Sequence, residues 1–599
     1  MTRTELRQAY QERQQLANTR ADELAKKYRQ MGWVRLLIFL LSFAAIFLLF
    51  SVHWMVGMAG TLALVIAFIA FVRWHQGIKT QENHQRSLST LNQWEQQVLD
   101  HDFQVFADGA DFLEPEHPNA LDLDLFGPYS LYQYLNRTST FLGRRRLAEW
   151  LTQVVASSVI RERQKAIRAL TPELTWRQEW QARGLETKDA PEQLRLLLTW
   201  METPNFLRPK KWIRWTLVLL PVLTIGTLAY CIPTQPWYVC LLCVLPNAWI
   251  LRRYVERINS THQQTTHAEA ALSRYASLVN YTSRLTAESP YLQERLDVLR
   301  TDAGKAIKIL SYQISQLNVR YNMFAVILNI LGLWDLQWVY RLEGWKDTYR
   351  HELPKWFDAL AELEVLCSFA NAAHNNPEWH YPSVTEKDQL VAVQLGHPLL
   401  AADQRVCNDL SMPTRGHIKL ITGSNMAGKS TFLRTVGINL VLATCGAPVC
   451  AQSLHTPLLQ VYSSMRTQDA LHESTSSFYA ELKRLKFIIE AVERGDNIFF
   501  LLDEILKGTN SRDRHTGSKA LIRQLIEQGG GGLIATHDLE LGILEDQYDG
   551  AIENLCMEVR IENQQLYFDY KLEPGVSQSF NATLLMQNMG IDVTAEDAT

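Results

Sequence analysis

The 599-residue sequence predicts a helical body carrying two membrane-spanning helical hairpins, followed by an α/β unit built on a parallel sheet. Three observations lead there. Four charge-free apolar runs occur as two close pairs. The segments around them repeat apolar residues at three- and four-residue spacing. From about Glu386 onward, short apolar runs alternate with helical segments and end in glycine, acidic or polar residues.

Leu36–Val52 and Met55–Val72 form the first pair, separated by His53 and Trp54. Each is about the length a helix needs to cross a bilayer, ~17–25 residues. Trp33, Trp54 and Trp74 stand near the ends, where indole rings favour the headgroup layer. Trp215–Ile232 and Pro236–Leu251 form the second pair, joined by a Pro233–Pro236 turn and interrupted at Pro246 and Asn247. Lys26, Lys27, Arg29 and Arg35 precede the first pair, and Arg73 and Lys79 follow it. Lys210, Lys211 and Arg214 precede the second, and Arg252, Arg253 and Arg257 follow it. Neither tip carries Lys or Arg, so both termini and every large segment are expected on the cytoplasmic side of the inner membrane. A third apolar stretch, Phe324–Trp334, is too short to span and reads as a core helix.

Arg144–Leu151, Arg161–Leu170 and Phe357–Phe369 carry the helical spacing. Glu269–Leu310 is poor in Gly and Pro and reads as one extended helical arm with a solvated charged side. His417–Thr422, Asn497–Leu502 and Gly532–Thr536 have the texture of buried parallel strands.

Bulk composition bounds the rest. A chain with 47% hydrophobic and 20% charged residues folds, and this length divides into about three or four units at ~150 residues each. A net charge of −4 argues against a surface coated with positive charge, though not against a local nucleic-acid patch. The eight cysteines form no framework, and Cys240-x-x-Cys243 lies in an apolar run, so a reducing cytosol is expected. The polar stretch Met1–Gly32 is unlike a cleaved signal peptide.

Chemistry concentrates in three places. Gly423-Ser-Asn-Met-Ala-Gly428-Lys429-Ser430 fits GxxxxGK[ST], with a strand-like run before it and a helix-compatible run, Thr431–Ala443, after it. Glycines let the backbone curl so that amides face a phosphate, and the helix N-terminus adds a favourable dipole. Lys429 is expected at the β- and γ-phosphates of ATP and Ser430 at Mg²⁺. The run Asn497–Leu502 ends in Asp503-Glu504, a Walker B layout that delivers Asp503 to the metal and Glu504 to the attacking water as general base. Gly532–Thr536 ends in His537, suited to sensing the γ-phosphate or positioning water. The adenine contact is open; Arg405 and Val406 lie in the approximate place.

Thr422-Gly-Ser-Asn-Met-Ala-Gly-Lys-Ser-Thr431 resembles the P-loop of the MutS family of mismatch-repair ATPases. Further segments agree in order: Gly396-His397-Pro398, Gly446-Ala-Pro-Val-Cys-Ala451, Ser476-Ser-Phe478-Tyr-Ala-Glu481, Asp503-Glu-Ile-Leu-Lys-Gly508-Thr509-Asn-Ser-Arg-Asp513 and Ser577-Gln-Ser-Phe580. More weakly, Leu125–Leu151 resembles the start of the family's helical lever, and Asp358–Leu363 its return to the ATPase. The resemblance implies a P-loop NTPase unit preceded by an all-α lever. It also implies a homodimer with composite ATP and Mg²⁺ sites, in which Ser424, Asn425, Met426, Ala427 and Thr431 join the phosphate loop and Ser476 reaches the partner's γ-phosphate. DNA is the implied partner; membrane lipid is the partner the hairpins imply, and a protein partner stays open.

Departures accompany it. Ser424 and Ala427 replace the usual Pro and Gly, and Ile505-Leu-Lys507 replaces Leu-Gly-Arg, as in a smaller membrane-associated branch. No mismatch-reading domain is expected ahead of the first hairpin. The expected organisation is a cytoplasmic N-terminal helix (1–32), a first hairpin (33–74), a linker helix (75–118), a first lever segment (119–212), a second hairpin (213–251), a second lever segment (252–378) and an ATPase unit ending in a helix-turn-helix (379–599). Two alternatives compete. One is a membrane ATPase acting on a protein or lipid without DNA. The other is a transporter, which the missing Leu-Ser-Gly-Gly-Gln signature and four spans without an intramembrane charge oppose.

Overall fold

The computed structural model describes residues 2–186, 191–234, 237–322, 325–424, 426–466, 477–548, 550–562 and 565–578. Helix α1 (Arg3–Val52) opens on a capping box: Thr2 Oγ1 accepts from the Glu5 amide while the Glu5 carboxylate accepts from the Thr2 amide. Such a cap satisfies two of the four amides that a helix start leaves open. His53 turns the chain in extended conformation, and α2 (Trp54–Leu99) returns antiparallel to α1. Gly57 eases the close approach of the two helices here, because a Cβ would lie 2.6 Å from the Phe50 ring, which would have to shift.

The expected cuts at 32/33 and 74/75 are therefore not element boundaries. The polar N-terminal segment and the first apolar run share one helix, as do the second run and its polar continuation. The expected linker helix ends at Leu99, and turns follow to Pro118 with a single short 3₁₀ segment, Ala110–Phe112. The second pair forms helices Lys211–Thr234 and Trp237–Thr265, and Pro246 sits inside the latter without ending it. Among the described residues, three helices are long and apolar enough to cross a membrane, by length and composition: α1, α2 and the stretch Lys211–Cys231. The side chains of Cys240 and Cys243 lie outside the described set.

Two helical expectations are corrected. Glu269–Leu310 is no extended arm but three packed helices, Glu269–Tyr281, Pro290–Arg300 and Ala303–Asn318. Pro290 cannot continue a helix from upstream, and Leu272, Tyr275, Leu296 and Ile307 are buried on one shared core. The segment expected as a core helix around Phe324–Trp334 is helical over Ala325–Gly332, but only Ala325 of it is buried.

The body is pinned by buried polar pairs far apart in sequence. Arg137 donates to Glu95 at 2.6 Å, Asn375 donates to the same carboxylate at 2.7 Å, and the Tyr10 hydroxyl donates to Asn375 at 2.7 Å. Burial, with Glu95 adding to it, pushes the Tyr10 hydroxyl well above its usual range. Glu364 accepts from the Ser139 and Thr140 amides at 2.7 and 3.1 Å, locking the start of helix Phe141–Thr152 against helix Leu353–Asn375.

The C-terminal region is mixed α/β. Its strands are β1 (Ser383–Val384), β2 (Gln389–Leu395), β3 (Asn408–Pro413), β4 (Ile418–Gly423), β5 (Ser453–Thr456), β6 (Gln460–Ser464), β7 (Ile498–Asp503), β8 (Gly532–Thr536), β9 (Ile552–Glu562) and β10 (Gln565–Pro574). One sheet runs β1-β5-β2-β3; the other runs β10-β9-β4-β8-β7-β6 and is parallel except for the β9–β10 hairpin. β4, β7 and β8 are buried along their whole length, which explains their unbroken apolar runs. The expected helix-turn-helix after Ser577–Phe580 falls outside the described residues.

Candidate functional site

In an open parallel sheet, the crevice beyond the carboxyl ends of the strands is where ligands sit. β4, β7 and β8 are neighbours, with β8 between the other two, so Gly423, Asp503 and Thr536–His537 emerge along one edge. Gly423 has φ +151°, and a Cβ there would lie 2.6 Å from the Met557 carbonyl. Gly428 has φ +100°, and a Cβ would approach the Tyr570 ring to 2.9 Å. Both positions therefore demand glycine. The turn also holds Met426 at φ +77°, exposed to solvent, and buries Ala427.

Helix Lys429–Cys445 starts immediately after the turn. Lys429 is buried, and its ammonium donates to the Gly423 and Ser424 carbonyls at 2.6 and 2.9 Å. Burial pulls its pKa down, and the negative charges of Glu504 and Asp503 partly restore it. Ser430 and Thr431 follow on the first turn and line the same cleft. Asn425 and Ser476 lie outside the described residues.

Asp503 closes β7 and is buried, with Ala535 of β8 as its cross-strand neighbour. Glu504 takes φ +53° and donates its amide to the Ala535 carbonyl at 2.9 Å. His537 Nδ1 lies 3.6 Å from Glu504 Oε1, and Lys507 Nζ lies 3.5 Å from Glu504 Oε2. The expected trio of Lys429, Glu504 and His537 is thus gathered at one edge.

A cleft of about 670 Å³ opens between this edge and the smaller sheet. Ser424, Met426, Gly428, Lys429, Ser430, Thr431 and Glu504 line one end; Leu395, His397, Leu400, Val406, Met557 and Tyr570 line the other. Val406 therefore lines the cleft, while the Arg405 guanidinium turns to the Leu400 carbonyl at 2.8 Å. Burial, reinforced by Arg434 and Arg405, lowers the pKa of His397 to about 4, so its ring is neutral at neutral pH. The curled backbone and ammonium could hold a polyanion, Ser430 and Asp503 a divalent cation, and the apolar end a flat ring.

Sequence reasoning did not assign roles to several residues that build this site. The Leu506 and Lys507 amides donate to Glu481 Oε1, so Glu481 fixes the turn carrying Glu504. Gly508 lets that turn pack on Phe478, whose Cβ a Gly508 Cβ would meet at 2.7 Å. Asn408 donates to the Tyr570 carbonyl at 3.0 Å and accepts from the Leu572 amide at 2.9 Å, holding an irregularity in β10 that sets Tyr570 at φ +55° against Gly428. Asn439 ties together two separated segments, donating to the Gly396 carbonyl at 3.0 Å and accepting from the Cys450 amide at 2.8 Å. The family-like segment Ser476–Glu481 is the sequence signal that ends on Glu481; nothing local marks Tyr570.

Fold and site define an α/β unit with a glycine turn and an acidic strand end facing each other across a cleft, set on a helical body. Residues 119–370 match the family description MutS domain III, and residues 419–594 match MutS domain V. The chain belongs to the MutS family. It is 33% identical over 248 residues to the DNA mismatch repair protein MutS of Nitratidesulfovibrio vulgaris, covering 39% of this chain and 27% of that protein. It is 30% identical over 241 residues to the DNA mismatch repair protein MutS of Thermotoga neapolitana, covering 39% and 29%. It is 29% identical over 241 residues to MutS protein homolog 4 of Homo sapiens, covering 39% and 25%. The matched stretch spans about a quarter of the length of these curated relatives.

Proposed function

We propose that the chain is a membrane-anchored ATPase of the MutS family, with a P-loop NTPase site at the edge of β4, β7 and β8, acting as a dimer and coupled to DNA. The observation that carries this reading is the buried Lys429 ammonium at the mouth of a glycine turn, with Asp503 and Glu504 opposite it.

The residues fit Mg-ATP. Backbone amides from Ser424 to Thr431 receive the phosphates, and Lys429 neutralises their charge at the helix start. Ser430 and Asp503 would hold the magnesium ion, which when bound would draw charge from the phosphate oxygens. Glu504 accepts a proton from the attacking water, and His537, 3.6 Å from its carboxylate, fixes its direction. Tyr570, Val406 and Met557 supply an apolar seat for the base. In a dimer, Ser476 of one chain completes the site of the other. α1, α2 and the second hairpin hold the chain in the cytoplasmic membrane, with termini and cleft in the cytoplasm.

The coupling to DNA rests on the relatives' names, which speak of mismatch repair. A second reading, in which the cycle acts on lipid or a protein, draws on the three apolar helices. The deciding experiment is the ATPase rate of the detergent-solubilised chain with duplex, mismatched and branched DNA over a salt series. Stimulation that falls steeply with salt supports DNA coupling. A rate indifferent to every DNA, but changed by reconstitution into vesicles, supports the second reading.

A further inference from the structure

Helix Ala325–Gly332 lies along both helices of the second hairpin. It is almost wholly apolar, and it leaves Val326 64% and Ile327 53% exposed. Its backbone, by contrast, is closed off. Asn247 is fully buried in the hairpin; its amide donates to the Ile330 carbonyl at 2.7 Å and to Thr224 Oγ1 at 3.0 Å. Gln337 donates to the Gly332 carbonyl at 2.7 Å, and Asn329 accepts from the Asp335 amide at 2.9 Å. The segment is also clasped at its base. Arg320 donates to Asn259 at 2.8 Å and lies 3.5 Å from Asp335, and the Trp334 indole donates to the Gln316 carbonyl at 2.9 Å.

An apolar face open to its surroundings, with the Ile330 and Gly332 carbonyls beneath it capped from within, suits hydrocarbon rather than water. On the hairpin that this helix packs along, Val222, Leu223 and Trp249 are exposed as well. Exposed cations flank that surface, Lys211 and Arg214 on one helix and Arg252 and Arg253 on the other. They suit anionic headgroups. At a rise of ~1.5 Å per residue, Asn247 lies about 8 Å beyond Arg252, and its partner Thr224 about 15 Å beyond Arg214. Both depths fall within one leaflet of a ~30 Å hydrocarbon core.

We propose that helix Ala325–Gly332 is a further membrane element that dips into the cytoplasmic leaflet beside the second hairpin, held at depth by Asn247. Its occupant is phospholipid, both acyl chains and the anionic headgroups above them. The helix leads directly into helix Trp334–Tyr349 of the body, so movement of the body is felt in that leaflet. The inference rests on the membrane reading of the hairpins, and its test separates the two.

The full chain, carrying the photo-crosslinker p-benzoylphenylalanine at Ile327, at Leu223 or at Leu16, is reconstituted into vesicles of phosphatidylcholine and phosphatidylglycerol with a radiolabelled acyl chain. Irradiation is expected to give lipid adducts at Ile327 and Leu223 and none at Leu16, which is exposed on the polar stretch of α1. Lipid adducts at Leu223 without any at Ile327 overturn the proposal and leave the hairpin standing. Absence of lipid at both overturns the membrane reading itself. A cross-linked second protein chain at Ile327 shows a protein-binding face and overturns the proposal as well. In the Asn247→Leu chain, the Ile327 adduct is expected to fall several-fold while that at Leu223 holds; an unchanged Ile327 adduct contradicts the anchoring role of Asn247.

Discussion

The α/β unit and the helical body are built on opposite rules. At the cleft, chemistry comes from neighbours in sequence: Gly423 to Ser430 make one turn, and Glu504 follows Asp503 on one strand end. In the body, partners are remote: Glu95 meets Arg137 and Asn375, and Glu364 meets Ser139 and Thr140. Local geometry sets what the first region can do to a ligand, whereas long-range closure sets whether the second stands at all. The two meet at Asp122, which accepts from the Ser463 hydroxyl at 2.7 Å and the Arg466 amide at 2.9 Å, while its carbonyl accepts from Arg434 of the Lys429–Cys445 helix at 2.9 Å. That helix meets the body again at its far end, where the Cys445 thiol donates to the Trp150 carbonyl at 2.9 Å.

The contrast breaks if mutations at the cleft unfold the protein or mutations in the body spare its stability. The largest effect is expected from Glu504→Gln: steady-state ATP turnover falls about 10²- to 10⁴-fold with nucleotide binding and the thermal midpoint unchanged. Turnover at the normal rate removes Glu504 as the general base. Next, Glu95→Ala strands the Arg137 guanidinium in the core, and denaturant unfolding should register a loss of about 3–5 kcal/mol. A loss under ~1 kcal/mol, the size expected of a solvent-exposed ion pair, contradicts the closed buried network.

A smaller effect is expected from Glu481→Ala, which frees the Leu506 and Lys507 amides. Turnover should fall about tenfold, a barrier change of ~1.4 kcal/mol, while ATP affinity holds. Equal losses in both would place Glu481 in binding instead of in positioning the turn.

The smallest effect concerns pH. His84 on α2 faces Glu179 at 2.9 Å and Glu186 at 3.1 Å, with Arg183 beside Glu179. Its hydrogen bonds to Glu179 and Glu186 raise its pKa to about 9, and its bond to Glu179 lowers that carboxyl to about 2. The His84 contribution is therefore complete below its ordinary value of 6.5 and is lost as pH rises through about 9. The Glu179 contribution is present above its ordinary 4.5 and is lost as pH falls through about 2. Thermal scans should place His84→Gln about 2–4 °C below the parent between pH 5 and 6 (~1 kcal/mol), with the gap closing above pH 9. A gap constant across that range contradicts the ionic clasp between α2 and the body.

The same contrast explains how much of the molecule is legible in its sequence. The glycine turn, the Asp503–Glu504 strand end and the buried strands are legible because their determinants are adjacent residues with distinctive backbone needs. Tyr570 is not, since its place depends on an irregularity in β10 held by Asn408, far upstream. The break of Glu269–Leu310 into three helices turns on which face finds a partner, a tertiary fact that polarity alone conceals. Phe324–Trp334 has the composition of a core helix, yet within Ala325–Gly332 only Ala325 is buried, and Val326 and Ile327 are exposed.

The central claim is that the Gly423–Ser430 turn and Lys429 grip a nucleotide tail. Isothermal titration of Mg-ATP into the detergent-solubilised protein tests it most directly. A saturable heat is expected for the parent, with affinity reduced at least about 100-fold, or ~2.8 kcal/mol, in Lys429→Ala. No heat for the parent, or equal affinity in the two proteins, would contradict it.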